Sequence, residues 1–374
     1  LTLLVTSMLF SVIPVKAVNP TIKIGVIGPL GLPHWSPAGM KEGAEMARDE
    51  INAAGGVNVS GVMHNIELVF GNEYAYPMPD PVGAALEVER LITVEGCEFI
   101  IGGFRTECVS AMIERAMEHQ TPFFIVGAST DELISTTVPV NYMRYKYLFR
   151  VAPVNSTTLV KSLTAFHRFI LEQELLLRFG GYLWPGAPTK QVRVAVLTED
   201  LAWTAKMHAL FTDSAIYPII LGPYANVTYA ARIPDGITDC TPWLSAVIAS
   251  KAHLLIHIFS GVTGIPLVRQ YRAMEVNATL VGINVVAQLE GHWTTTGGAC
   301  EYESVLDITG TRTPIIPGKT EVFWDNFVAK TGTWPIYTAF GAYDAIYLLK
   351  EAIEIAGTTE KDVLVQVLES TDRF

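Results

Sequence analysis

From Ile22 to Val57 the chain reads IKIGVIGPLGLPHWSPAGMKEGAEMARDEINAAGGV. The apolar run at 22–27 predicts a buried strand. A Gly/Pro loop at 28–37 follows, carrying His34 and Trp35. A helix over 38–53 comes next, with Ala44, Ala47 and Ile51 at helical spacing, closed by Gly55 and Gly56. A strand that feeds a helix through a long loop puts that loop at the carboxyl edge of a sheet, where open α/β folds bind ligands. The unit recurs. Strands are expected at 66–70, 99–102 and 122–126, and helices at 80–94 and 107–118. Such alternation implies a parallel sheet with helices on both faces.

After a passage at 148–154 the rhythm restarts. A long amphipathic helix is expected at 156–177 and a surface loop at 180–191. Strands are expected at 192–197, 216–221, 254–259 and 280–283, with helices at 202–211, 242–249 and 266–273. Segment 302–308 is expected to cross back to the first unit, and helices at 319–330, 335–356 and 360–369 to end the chain. Two α/β lobes result, the first from residues 21–151 and the second from 152–311. A length of 374 residues suits two domains.

Half the residues are hydrophobic and 17% are charged, which excludes a disordered chain. A net charge of −11 with no basic run argues against nucleic-acid binding. The apolar start, LTLLVTSMLFSVIPVKA, reads as the remnant of a secretory signal over residues 1–17. Pro14 and Lys16 interrupt it, and it is shorter than the roughly 20 apolar residues a membrane span requires. Export permits disulfides. Cys97 and Cys108 bracket the strand at 99–102 and are expected to lie too far apart to bridge, whereas Cys240 and Cys300 share the second lobe, where a bridge stays open. No phosphate-binding GxxxxGK[ST], no GxSxG elbow, no HExxH and no Cys/His zinc spacing occurs. The sequence therefore points to no enzyme, no metal and no cofactor.

Polar and aromatic residues instead gather where the expected strands end. Trp35 follows the first strand. Arg105, Thr106 and Glu107 follow the strand at 99–102 and open a helix, and Ala128, Ser129 and Thr130 follow the strand at 122–126. Backbone N–H groups and hydroxyls at a helix N-terminus suit a carboxylate. The same Ser129 and Thr130 also read as simple helix caps. Arg105 reads equally as a carboxylate clamp and as a surface ion pair.

The words GPLG, DEINAAGGV, IIGG and FFIVGAST resemble the branched-chain amino acid (Leu/Ile/Val)-binding proteins, the type I periplasmic solute-binding proteins of ABC importers. The resemblance implies two doubly wound parallel-sheet lobes joined by a multi-strand hinge, with residues 312–374 returning to the first lobe. It implies an extracytoplasmic chain that captures a small polar solute, whether amino acid, amide or carboxylate, and hands it to ABC permease subunits. Any membrane contact would then run through the permease or an anchor elsewhere. Receptor ectodomains share this fold, so a sensory role is the alternative. The family continues past the last helix, so the chain reads as a fragment at both ends.

By resemblance, Thr106, with Glu107 one residue on, falls nearest the serine that holds the ligand carboxylate, and Ala128 and Thr130 fall on its two other partners. Trp35 takes the place of an aromatic lining the cleft. In the second lobe Trp203 matches another, and Phe259 or Ser260 loosely a third. One departure stands out. Where amino-acid binders carry an acid to hold the ligand ammonium, this chain has Asn284. A neutral amide supplies no countercharge, so either Glu107, Glu199 or Glu290 compensates or the ligand has no ammonium.

Overall fold

The computed structural model describes residues 19–30, 39–74, 79–170, 192–222, 225–307, 312–313 and 318–371. The leader at 1–17, the loop at 180–191 and the end of the helix expected at 156–177 lie outside these residues. Six strands form the first sheet: β1 (Thr21–Gly28), β2 (Val57–Val59), β3 (Val62–Asn72), β4 (Phe99–Gly102), β5 (Phe123–Ile125) and β6 (Leu148–Arg150). Their order is β2-β3-β1-β4-β5-β6, parallel except for the antiparallel β2–β3 pair. Five parallel strands form the second: β7 (Val192–Glu199), β8 (Ala225–Ile233), β9 (Leu254–Phe259), β10 (Thr279–Asn284) and β11 (Ser304–Val305). Their order is β11-β10-β9-β7-β8.

Each sheet grows to one side of its founding strand and then to the other. The reversal falls between β1 and β4 in one lobe and between β7 and β9 in the other. Loops leaving such a strand pair diverge to opposite faces and leave a crevice at the carboxyl edge.

The strands are continuous apolar runs because both faces are covered. In the first lobe Ile24, Phe99, Ile101 and Phe124 pack beneath the helices Met40–Ala53 and Tyr337–Ala356. Ile27, Ile100, Phe123 and Ile125 pack beneath Pro81–Thr93 and Thr106–Glu118. The chain thus returns from the second lobe to complete the first. The return helix sits close: a Cβ at Gly43 would come within 2.2 Å of the Ala339 carbonyl oxygen, so only glycine allows this approach. In the second lobe one core lies beneath Ser156–Phe169 and Ala202–Thr212, the other beneath Thr241–Ala249 and Gly264–Ala273.

Three local expectations fail, and one open question closes. The run at 216–221 is a short helix, Tyr217–Ile220, because Pro218 fits a first helical turn and denies a strand its donor. The strand is β8, half-exposed at the sheet edge and so without a clean apolar run. Segment 302–308 does not simply cross back: Ser304 and Val305 pair with Val281 and Gly282 as an edge strand. The passage at 148–154 begins with β6, paired to β5. All four cysteines are free, so Cys240 and Cys300 form no bridge.

Candidate functional site

The carboxyl edges of the two sheets face each other across a cavity of about 40 Å³. Its apolar wall comes from Phe104, Pro153, Leu159, Ile283, Val285 and Leu306. Its polar groups are carried by Arg105, Ser129, Trp203, Ser260, Gln288 and Tyr337. Arg105, Ser129 and Tyr337 belong to the first lobe and Trp203, Ser260 and Gln288 to the second, so neither lobe makes the cavity alone.

Arg105 joins the lobes. Its side chain is 2% exposed, and its Nη2 donates to Asp235 Oδ2 at 2.6 Å. Its Nη1 lies 3.4 Å from Ser260 Oγ and 3.7 Å from Glu199 Oε2. Ser260 Oγ also accepts from Trp203 Nε1 at 3.1 Å. Elsewhere along the seam Ala202 N donates to Glu107 Oε1 at 2.8 Å, Lys206 pairs with Asp131 at 3.3 Å, and Ser156 Oγ donates to the Ser129 carbonyl at 3.2 Å.

Two buried acids underlie this seam. Glu73, at the end of β3, accepts from Phe104 N at 2.7 Å and Arg105 N at 2.5 Å. Burial pushes its carboxyl up to about 8, against the pull of those two amides and the Arg105 charge. Glu199, at the end of β7, accepts from Ser260 N at 2.9 Å, Gly261 N at 2.8 Å and Ser260 Oγ at 2.6 Å. Burial raises it to about 7, Arg105 opposes the rise and Asp235 adds to it. Gly261 leaves room for the acid pair: a Cβ there would lie 2.2 Å from Asp235 Oδ1 and 2.3 Å from Glu199 Oε1.

The profile of a family described as periplasmic binding protein matches residues 21–374. The chain belongs to that family. Solved structures share the fold. The branched-chain amino acid transporter substrate-binding protein LivJ from Streptococcus pneumoniae, in complex with isoleucine, is similar with a TM-score of 0.70 and 19% identity, over 95% of this chain and 89% of that one. The leucine-binding protein LivK from Thermotoga maritima gives 0.71 and 18%, over 95% and 89%. An ABC transporter solute-binding protein from R. palustris in complex with benzoate gives 0.68 and 16%, over 94% and 86%. Comparison with curated proteins finds no match.

In this periplasmic binding protein the residues expected at the site divide. Arg105, Ser129, Trp203 and Ser260 line one cavity. Thr106 and Thr130 meet each other instead, Oγ1 to Oγ1 at 2.6 Å, and neither reaches the wall. Glu107 spends one oxygen on the interlobe bond to Ala202 N. Ala128 and Phe259 face the cores of their lobes. Asn284 is fully buried and turned toward Gly264, where a Cβ would come within 2.3 Å of its Oδ1, and its Nδ2 donates to Glu303 at 2.8 Å. Trp35 lies outside the described residues.

The expected carboxylate seats are also altered. The helix after Thr130, Glu132–Ser135, has four residues, too few for a useful dipole. The amides of Phe104 and Arg105 already hold Glu73. Glu73, Asp235, Gln288 and Tyr337 were missed as site residues. Tyr337 opens the return helix, and its hydroxyl donates to the Gly127 carbonyl at 3.3 Å. The one available signal for Glu73 was its place directly after a strand ending, Gly71 and Asn72.

Among the described residues no helix is long and apolar enough to cross a membrane, and no His/Cys/Asp/Glu group is arranged to hold a metal.

Proposed function

We propose that this chain is the extracytoplasmic substrate-binding protein of an ABC importer, trapping a small, largely apolar solute with one polar head between its lobes. The carrying observation is the cavity itself, walled mostly by apolar side chains from both lobes, with polar groups gathered around Arg105, Ser129 and Ser260. The solute would lie against Phe104, Leu159 and Trp203 and direct its head to those three. Closing the lobes over it removes water and completes the wall, so binding and closure are one equilibrium. Wall residues from both sides make the closed state the one with ligand affinity. The branched-chain amino acid and benzoate binders of like fold are consistent with this reading.

A thermal-shift screen of small acids, amides and amino acids tests it. A ligand at 100 times its dissociation constant adds about 2.7 kcal/mol to the folded state. The hit should lose most of that gain in Trp203→Ala while the variant keeps its circular dichroism. A hit whose affinity is unchanged in Trp203→Ala would place the ligand elsewhere.

A further inference from the structure

We propose that the cleft selects an uncharged head, of carboxamide type, and rejects both a free ammonium and a carboxylate; the proposal rests on reading the interlobe cavity as the ligand seat. Three observations carry it.

The first concerns cations. Among the described residues no Asp or Glu lines the cavity. Asn284, at the end of β10, turns away to Glu303. An ammonium entering this space would be stripped of water without a countercharge, and burying an unpaired charge is prohibitive.

The second concerns anions. Arg105 is the only cationic side chain among the described lining residues, and its charge is already answered. Asp235 bonds it at 2.6 Å and Glu199 lies at 3.7 Å, both from the second lobe. From the first lobe Glu73 holds its backbone N–H, and Glu107 follows two residues on. Two acids of the second lobe thus face the guanidinium, and a third holds the backbone that carries it. A ligand carboxylate would have to displace Asp235 from Arg105 and leave that acid without its cation. The arrangement matches a neutral guest, which leaves the internal balance intact.

The third concerns the head. Gln288 lines the cavity, and its Oε1 is buried without a partner. Oε1 is an acceptor, and left unpaired in a closed space it asks for a donor on the guest. A carboxamide, whose carbonyl accepts while its N–H donates, fills that role beside Ser129, Ser260 and Gln288.

The test uses matched frames on the full chain: isovaleramide, isovalerate and valine, then benzamide, benzoate and phenylglycine, each titrated by calorimetry at neutral pH. The expected result is that an amide of at least one frame binds, at least tenfold tighter than its acid, and that neither amino acid binds. Asp235→Asn strips one charge from around Arg105 and should move the acid-to-amide preference toward the acid by tenfold or more. Valine, phenylglycine or either acid binding tighter than its amide overturns the proposal. So does an Asp235→Asn variant that binds with an unchanged ratio, and so does silence from all six compounds. Trp203→Ala separates the two readings. If valine or isovalerate binds the parent and loses affinity in Trp203→Ala, the cleft stands as the seat and only the neutral head falls. If a bound compound ignores Trp203→Ala, the cleft reading itself fails.

Discussion

Replacing Arg105 with Met should open the protein without unfolding it. Arg105 makes its close contact to Asp235 at 2.6 Å and a longer one to Glu199 at 3.7 Å, and all three side chains are nearly or fully buried. Truncating one member of such a buried group costs about 3–5 kcal/mol, mostly through the uncompensated charge left behind. The partners belong to opposite lobes, so this cost falls on the closed arrangement alone. Once the lobes part, Asp235 and Glu199 regain water. The bond between Glu107 and Ala202 and that between Ser156 and the Ser129 carbonyl persist, which argues for the lower figure. A change of about 3 kcal/mol lowers the closed-to-open ratio by about two powers of ten. Small-angle scattering and energy transfer between dyes on the two lobes read this directly. The variant should show a larger radius of gyration and lower transfer than the parent, with circular dichroism unchanged. A variant as compact as the parent would refute the reasoning and assign closure to the apolar wall alone.

Stability should rise as pH falls from about 8.5 to 6.5. Glu73 and Glu199 hold their protons more tightly when folded, at about 8 and about 7 against an ordinary 4.5. Their contribution is therefore complete below about pH 4.5 and fades as pH climbs through 7 and 8. Over that window the gain is about 2–3 kcal/mol, measured by urea unfolding at both ends; a flat profile would contradict it. Below about pH 6.5 buried His167, pushed down to about 4 by burial, works the other way and offsets one of the two acids, so the gain should slow to about half its slope there. Gly261→Ala should drive Asp235 and Glu199 apart, because the new methyl would sit within 2.3 Å of both, and scattering should report a less compact protein with intact secondary structure. Phe124→Ala, at the centre of the first core, should cost about 3–5 kcal/mol in urea unfolding and leave the second lobe's transition in place.

The two sheets were legible because strands covered on both faces read as unbroken apolar runs, as in Ile22 to Ile27, Phe123 to Val126 and Leu254 to Phe259. The edge strands were not. β8 mixes Thr228 and Arg232 with small apolar residues, because one side of an edge strand meets solvent. Losing β8 hid Asp235, which stands two residues beyond its end, and with it the partner of Arg105. That Arg105, Ser129, Trp203 and Ser260 stand at strand ends could be read from order along the chain. The direction of a side chain could not, which is why Asn284, Ala128 and Phe259 have the expected places and face elsewhere. Glu73 shows a further limit. Nothing local marks an acid as buried; its burial follows from Phe104 and Arg105, more than 30 residues away, presenting their amides to it.

The same device occurs once in each lobe. Glu73 leaves β3, beside the founding strand β1, and crosses to the two consecutive amides that follow β4. Glu199 ends the founding strand β7 and crosses to the two consecutive amides that follow β9. Both turns lie where the sheet reverses its direction of growth, and there successive N–H groups converge on one point and attract negative charge. Many proteins leave such a point for a ligand anion. Here each point is filled from within by a glutamate carboxyl group whose oxygens accept both N–H groups. With the backbone donors satisfied and Arg105 already answered by Asp235, the cavity wall offers side-chain hydroxyls, an indole, an amide and apolar groups. On the proposed reading of the cleft, shape and neutral hydrogen bonding are what discriminate between guests.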